Sequence, residues 1–274
     1  VNTSGLASAN AGMDRMFNGC TIFNQDLGSW DVSKVNQMPY GVFQSCTAFN
    51  NGGSSSIGNW NVSNVTNFQL MFNGCTNFNQ NIGAWNVSNA TDLSYMFQGC
   101  AAFNNGGSNS ISAWSAPKVT TFSRMFSGAS TFNQPLTNLV NTSSVSSCDM
   151  SYLFSAATVF NQDIGGWNVS NTSTMQATFN NCTAFNNGGS NAISAWSAPK
   201  VTNFNNMFSN CSNFNQPLTN LVNTANVASC TMTQVFSNCI KFDQNIGGWN
   251  LSKVTGMSGI FTGCTVFNNG GSNS

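Results

Sequence analysis

The stretch Trp60 to Trp85, WNVSNVTNFQLMFNGCTNFNQNIGAW, contains one full turn of the pattern that fills this chain. Its kernel is Phe-x-x-(Cys/Ala)-x-x-Phe-(Asn/Asp), here Phe72, Cys75, Phe78 and Asn79. Ten copies occur, with the first Phe at Phe17, Phe43, Phe72, Phe97, Phe126, Phe154, Phe179, Phe208, Phe236 and Phe261. The second Phe always follows six residues later, whereas the steps between copies are 26, 29, 25, 29, 28, 25, 29, 28 and 25 residues. Spacing that is fixed inside the unit and variable between units confines variation to loops. Periods of this length belong to short coils that bury a core only by stacking on their neighbours. The expected fold is a β-solenoid of ten stacked coils of 25–29 residues.

A longer period overlies the first: three coils make an 82-residue super-repeat, so that Phe97 recurs as Phe179 and Phe261. The 25-residue class carries NQDIGGWNVS (161–170), the 29-residue class NNGGSNAISAW (186–196), and the 28-residue class NQPLTNLVNT (215–224). The added Gly, Ser and Asn are turn formers, so the insertions are expected to protrude from the stack. Residues 1–4, VNTS, match 140–143, and the closing NNGGSNS matches 104–110, so both ends fall inside a repeat. That predicts a window of a longer array or a subunit that stacks end to end. No linker divides residues 1–274, which read as a single elongated repeat domain.

Within the coil, Trp60, Val62, Val65, Phe68, Met71, Phe72, Cys75 and Phe78 fall on the apolar side with a step close to three. The period predicts a tight 3-10 or single-turn helical arch, with Thr66 placed to cap it. The stretch Phe78 to Trp85, FNQNIGAW, reads as one short parallel strand per coil, which stacks at about 4.8 Å per coil. The 23 Phe are all used by the kernel and by Phe68, Phe122 and Phe204 in the arch, which predicts a stacked aromatic core. Trp30, Trp60, Trp85, Trp114, Trp167, Trp196 and Trp249 hold one position per coil, replaced by Leu139 and Leu221 in the 28-residue class. Leu at the same position favours a core corner over a sugar-binding face.

Two columns follow the kernel. Asn24, Asn50, Asn79, Asn104, Asn133, Asn161, Asn186, Asn215, Asp243 and Asn268 form an expected asparagine ladder, in which an amide that both donates and accepts satisfies the turns and its stacked neighbours. Cys20, Cys46, Cys75, Cys100, Cys182, Cys211, Cys239 and Cys264 form a second column, interrupted by Ala129 and Ala157. Ala at the same position favours small buried thiols. Disulfides between adjacent coils stay open as the alternative, because stacked Cα atoms come within bridging range. Cys148 and Cys230 lie off the column.

Composition narrows the function. Seven Lys and Arg balance seven acidic residues, all Asp, and there is no His. So sparse a charge leaves no footprint for phosphates and excludes a nucleic-acid partner. Zinc is not expected without His or a CxxC pair, and neither is another cofactor. Without His or Glu, and with Asp26 and Asp163 matched by Asn81 and Asn245 at equivalent positions, no catalytic constellation is expected. No apolar run reaches the length of a membrane span. Eleven Asn-x-Ser/Thr sequons occur. Of these Asn61, Asn86, Asn168 and Asn250 share the W-N-(V/L)-S position, Asn64, Asn89 and Asn171 follow three residues later, and Asn2 opens the chain. They predict either a glycan-bearing ridge or polar turns.

The pattern FNQ-x-(I/L)-x-x-W-(N/D)-V-S-x-V-T-x-(M/F/L)-x-x-M-F-x-x-C resembles the repeat of BspA-like leucine-rich-repeat surface proteins. FNQNIGAWNVSNATDLSYMFQGC (78–100) matches closely, with Ala90 for Val and Leu93 for Met, whereas the 28-residue units depart at NQPLTNLVNT and lose the Trp. The resemblance covers nearly the whole chain and implies a leucine-rich-repeat-like solenoid with a surface role in adhesion or matrix contact. It brings no catalytic motif. Two functions are expected, both extracellular or at the cell surface and neither enzymatic. The first is a fibre or sheath built by end-to-end self-association, coated with glycan. The alternative is an adhesin that binds host protein or polysaccharide through loops or the exposed sheet.

Overall fold

The computed structural model describes residues 12–271. Each copy of the kernel closes one coil, and parallel bridges tie every coil to the next, running Gly12, Gln37, Asn67, Asp92, Thr121, Asp149, Thr174, Asn203, Thr231 and Gly256. At each 28-residue coil this ladder widens into a short strand pair, β1 (Cys148–Asp149) with β2 (Thr172–Thr174) and β3 (Cys230–Thr231) with β4 (Val254–Gly256), and a second parallel bridge forms beside it, Asn141 to Asn168 and Asn223 to Asn250. The chain is thus a solenoid of stacked coils, made of turns, 3-10 helices and very short strands.

The bridged residue lies at the start of the expected arch, as Asn67 does between Val65 and Phe68, and not in FNQNIGAW. From there the N–H groups of Phe68, Leu70, Phe72 and Gly74 donate to the carbonyls of Asp92, Ser94, Met96 and Gln98 in the next coil at 2.7–3.0 Å. The intervening N–H groups of Met71, Asn73 and Cys75 fold back to Phe68, Leu70 and Phe72 at 2.9–3.1 Å. A 3-10 helix needs every N–H to fold back, so the arch becomes a run of turns half committed to the neighbouring coil. Thr66 does not cap it; its hydroxyl donates to the Asn36 carbonyl of the preceding coil at 3.2 Å. Folding back on alternate residues demands left-handed backbone twice per coil, at Leu70 (φ 61°) and Gly74 (φ 72°) here and at matching positions elsewhere. The 26-residue first step comes from one extra residue in this run, absorbed where Tyr40 and Gly41 are both left-handed.

The stretch Phe78 to Trp85 carries no strand. Its turn Ile82–Trp85 closes on itself at 3.0 Å, and side chains instead of carbonyls take the N–H groups that a ladder would have used. The 29-residue insertions also differ from expectation, because they tuck in. Asn51, Asn105 and Asn187 are fully buried. Their Oδ1 atoms accept the N–H of Leu27, Ile82 and Ile164 in the preceding coil at 2.8–2.9 Å. Their Nδ2 atoms donate to the Ser54, Ser108 and Ser190 carbonyls at 2.7–2.8 Å. Those serines cap the 3-10 helices Ser55–Asn59, Asn109–Ala113 and Asn191–Ala195, which bury Ile57, Ile111 and Ile193. An insertion with its own apolar anchor and its own buried hydrogen-bond partner has reason to fold onto the stack.

The core is one continuous file of rings. The two Phe of a coil stack at centroid separations from 3.9 to 4.3 Å, and first Phe meets first Phe in the next coil at 5.4 to 5.8 Å. Near-parallel offset stacking suits the ring quadrupole, and each ring buries on the order of 150 Å² or more.

The tucked insertion predicts that Asn105→Ala lowers stability by about 1–3 kcal/mol, because it strands the buried Ile82 N–H. Urea unfolding checks it; a protruding loop would give no change.

Candidate functional site

The Asn column forms a ladder of a kind different from the one expected. Each side-chain Oδ1 accepts the main-chain N–H of the column residue in the next coil: Asn24 from Asn50, Asn50 from Asn79, Asn79 from Asn104, Asn104 from Asn133 and Asn133 from Asn161, at 2.8–3.0 Å. The chain of bonds continues through Asn186, Asn215, Asp243 and Asn268 at 2.7–2.9 Å. Only the oxygen is used, which is why Asp243 serves as well as Asn. In 25-residue coils the adjacent Gln adds a clamp: Gln80, Gln162 and Gln244 donate through Nε2 to the Asn50, Asn133 and Asn215 side chains at 2.8–3.0 Å.

The thiols are all free, and in the column they too reach back one coil. Cys46, Cys75, Cys100, Cys182, Cys211, Cys239 and Cys264 donate to the carbonyls of Phe17, Phe43, Phe72, Phe154, Phe179, Phe208 and Phe236 at 2.7–2.9 Å. Cys20 is exposed. Off the column, Cys148 and Cys230 are buried at the start of β1 and β3. Burial pushes the Cys46 and Cys230 thiols up to about 11 and Cys148 to about 12, and raises the rest of the buried column too. A thiol so placed is poorly nucleophilic.

The Trp indoles are equally committed to the core. Trp60, Trp85, Trp114, Trp167, Trp196 and Trp249 are buried, and each Nε1–H donates to a carbonyl of the preceding coil at 2.7–3.2 Å. No sugar face exists there. Where Leu139 and Leu221 replace Trp, Asn138 and Asn220 reach the Ser112 and Ser194 carbonyls instead, at 3.3 and 3.2 Å.

The sequon groups separate by geometry. Asn61, Asn86, Asn168 and Asn250 are exposed, and their Oδ1 atoms accept from the Ser two residues on at 3.0–3.2 Å, so the side chain closes a polar turn. Asn64, Asn89 and Asn171 instead spend their Nδ2 groups on the Ser33, Ser63 and Thr142 carbonyls of the preceding coil. Nδ2 is the atom a glycan would take, so only the first group presents it without breaking a bond between coils. Asn2 lies outside the described residues.

One further column is defined by backbone conformation. The left-handed position two residues before the first Phe holds Arg15, Leu70, Tyr95, Arg124, Tyr152, Ala177, Asn206, Gln234 and Gly259, with Tyr40 beside Gly41 in the second coil. All three Tyr and both Arg of the chain stand here. The Arg124 guanidinium lies over Tyr152 at 4.1 Å and Tyr95 at 5.9 Å, and Arg15 lies over Tyr40 at 5.4 Å. The signal was in the sequence, as clustering of rare residue types at one offset. What they share, a positive φ on the ladder face, was not. Other features are slight. Two shallow polar recesses of about 280 and 270 Å³ repeat 82 residues apart, around Thr137 and Asn138 and around Thr219 and Asn220. Among the described residues no group of three or more metal-ligating side chains occurs, and no helix is long and apolar enough to cross a membrane.

A sequence model of the family described as "Mycoplasma protein of unknown function, DUF285" matches residues 7–55, 51–149, 107–191 and 187–273. Among solved structures, one titled "Crystal structure of TLR13-ssRNA13 complex" is similar over 84% of this chain and 35% of its own, at 11% identity and a TM-score of 0.32. The present chain thus spans about a third of that one. No curated protein matches.

The thiol geometry makes a prediction with a defined sign. Well below pH 9, the ordinary thiol value, folded and unfolded states both keep their protons; as pH rises through it the unfolded chain ionises first. Stability should therefore fall as pH rises from 9 towards the value of about 11 held by Cys46 and Cys230. Thermal melts across that range test this. In the folded protein at pH 8 an alkylating reagent should label Cys20 first and the buried thiols only after unfolding, as read by mass spectrometry.

Proposed function

This chain belongs to the DUF285 repeat family, and on that premise we propose that it is a non-catalytic extracellular solenoid, leucine-rich-repeat-like, which adheres to a surface ligand through its ladder face. One observation carries the reading. The super-repeats copy themselves almost residue for residue, WSAPKVT at 114–120 and again at 196–202, NQPLTNLVNT at 133–142 and again at 215–224. Against that sameness, Tyr95, Arg124 and Tyr152 become Ala177, Asn206 and Gln234. The Phe and Trp positions are held constant while a half-buried column on the ladder face changes chemistry, the pattern of a scaffold that varies its contacts. The buried thiols, indoles and ladder oxygens all hold coils together and are not available to a partner.

A second reading, end-to-end self-association into a fibre, is favoured by the ladders themselves, which cross each coil boundary with the same bonds and so could extend across a junction between subunits. Electron microscopy of the purified chain tests it: filaments with an axial repeat of about 14 Å, three coils at the strand spacing, would support it, and short dispersed rods would exclude it.

Adhesion is tested with microspheres coated with the chain, offered to immobilised matrix proteins and polysaccharides. Retention on at least one surface is expected, with loss in the triple variant Tyr95→Ala, Arg124→Asn, Tyr152→Gln. Equal retention of the two proteins, or none, would overturn the reading.

A further inference from the structure

Each coil contains two left-handed positions, and the chain fills them in opposite ways. The one before the Cys column holds Gly19, Ser45, Gly74, Gly99, Gly128, Ala156, Asn181, Asn210, Asn238 and Gly263, small residues or Asn throughout. Such residues tolerate positive φ best. The other holds Arg15 (φ 51°), Tyr40 (φ 55°), Leu70 (φ 61°), Tyr95 (φ 59°), Arg124 (φ 58°) and Tyr152 (φ 56°) through the first six coils. Bulky side chains are strained there, yet the backbone does not require them, since Asn206 (φ 57°) and Gly259 (φ 64°) take the same conformation. Strain retained where a permissive residue would serve points to function.

The chemistry of the stripe points to a class of partner. Tyr95, Arg124 and Tyr152 are half-buried on consecutive coils, and the Gln176 side chain fixes the Tyr152 hydroxyl at 3.1 Å. Among the described residues no carboxylate pairs with the Arg124 guanidinium, and a guanidinium stacked on a ring keeps its in-plane N–H donors. On the same ladder stand Asp92 and Asp149, whose Oδ1 atoms accept from Ser94 and Ser151 at 2.7 Å, with Thr121 between them. Rings, one cation, two carboxylates and hydroxyls give no net positive field for an anionic ligand. They give apolar platforms flanked by donors and acceptors, which suits sugar C–H faces and sugar hydroxyls. The coil spacing of about 4.8 Å is close to the length of one pyranose in an extended glycan, so one sugar meets one coil.

We infer that the stripe Tyr95–Arg124–Tyr152, continued through Leu70 to Tyr40 and Arg15, binds a neutral polysaccharide lying along the solenoid axis. This rests on the adhesion reading and names its ligand. Tyr95 and Tyr152 stack on alternate sugars, Arg124 donates to ring or hydroxyl oxygens of the sugar between them, and Asp92 and Asp149 accept from hydroxyls.

Affinity electrophoresis through hydroxyethylcellulose, xylan and dextran sulfate tests it, with the single variants Tyr95→Ala, Arg124→Asn and Tyr152→Gln. Each variant copies the residue that the column carries one super-repeat later, so the backbone accommodates it, and circular dichroism verifies folding. Retardation by a neutral glucan or xylan is expected, little changed by salt, and each variant should weaken it by about three- to ten-fold. Variants retarded like the parent, or retardation by dextran sulfate alone with steep salt dependence, would overturn the inference. Coated microspheres separate the two levels. If neutral glycans fail but the beads hold to a protein surface and the triple variant releases them, the glycan inference falls and adhesion stands. If the triple variant holds as well as the parent, adhesion through this face falls as well.

Discussion

At its closing turn every coil leaves a backbone N–H with no carbonyl opposite, and the side-chain oxygen of the preceding coil's Asn accepts it. A buried donor left unmet costs on the order of 1–3 kcal/mol, and the stack presents one in every coil. That requirement explains why the column reads Asn or Asp from Asn24 to Asn268 and nothing else. It explains equally why the length between kernels can vary, because the bond needs only that one turn sit over the next. The NNGG insertions extend the same device: Asn105 reaches back to Ile82 as Asn79 reaches forward to Asn104.

The backbone ladder donates to the coil that follows, whereas most of the side chains that donate to a carbonyl across the boundary reach the other way. Column thiols, indole N–H groups and the amides of Asn64, Asn89 and Asn171 all reach a carbonyl of the coil before. The core supplies the non-directional part, a file of Phe pairs in which each ring touches its partner and its counterpart one coil on. Apolar burial drives the stacking and the side-chain bonds fix its register, so neither alone would specify a single structure. The result is a protein whose rigid interior repeats and whose Tyr and Arg side chains are gathered on one stripe.

That gathering follows from the arch. Alternate N–H groups go to the neighbour and alternate ones fold back, which forces the two left-handed residues per coil. One of them lies over the Cys column and is filled by residues that bear the conformation easily. The other stands on the ladder face and carries every Tyr and Arg of the chain. A half-buried position that fixes a side chain's direction by backbone geometry is well suited to hold rings at a regular spacing.

The repeat, its three-coil period, the Phe core and the column membership were all legible in the residues, because identical side chains at fixed offsets must stack on one another in any coil that closes. The direction of hydrogen bonds was not. FNQNIGAW reads as a strand by alternation, but its N–H groups are taken by side-chain oxygens of adjacent coils, which only the stacked arrangement brings within reach. The insertions read as loops by composition, but Ile111 finds a core to enter and Asn105 a buried donor to satisfy once the preceding coil is in place. Tyr95, Arg124 and Tyr152 share one offset from the first Phe, which the sequence displays, but the offset does not reveal their common positive φ. Their union into one strained stripe is a consequence of alternate backbone pairing between coils, a tertiary constraint that no local pattern in a single coil encodes.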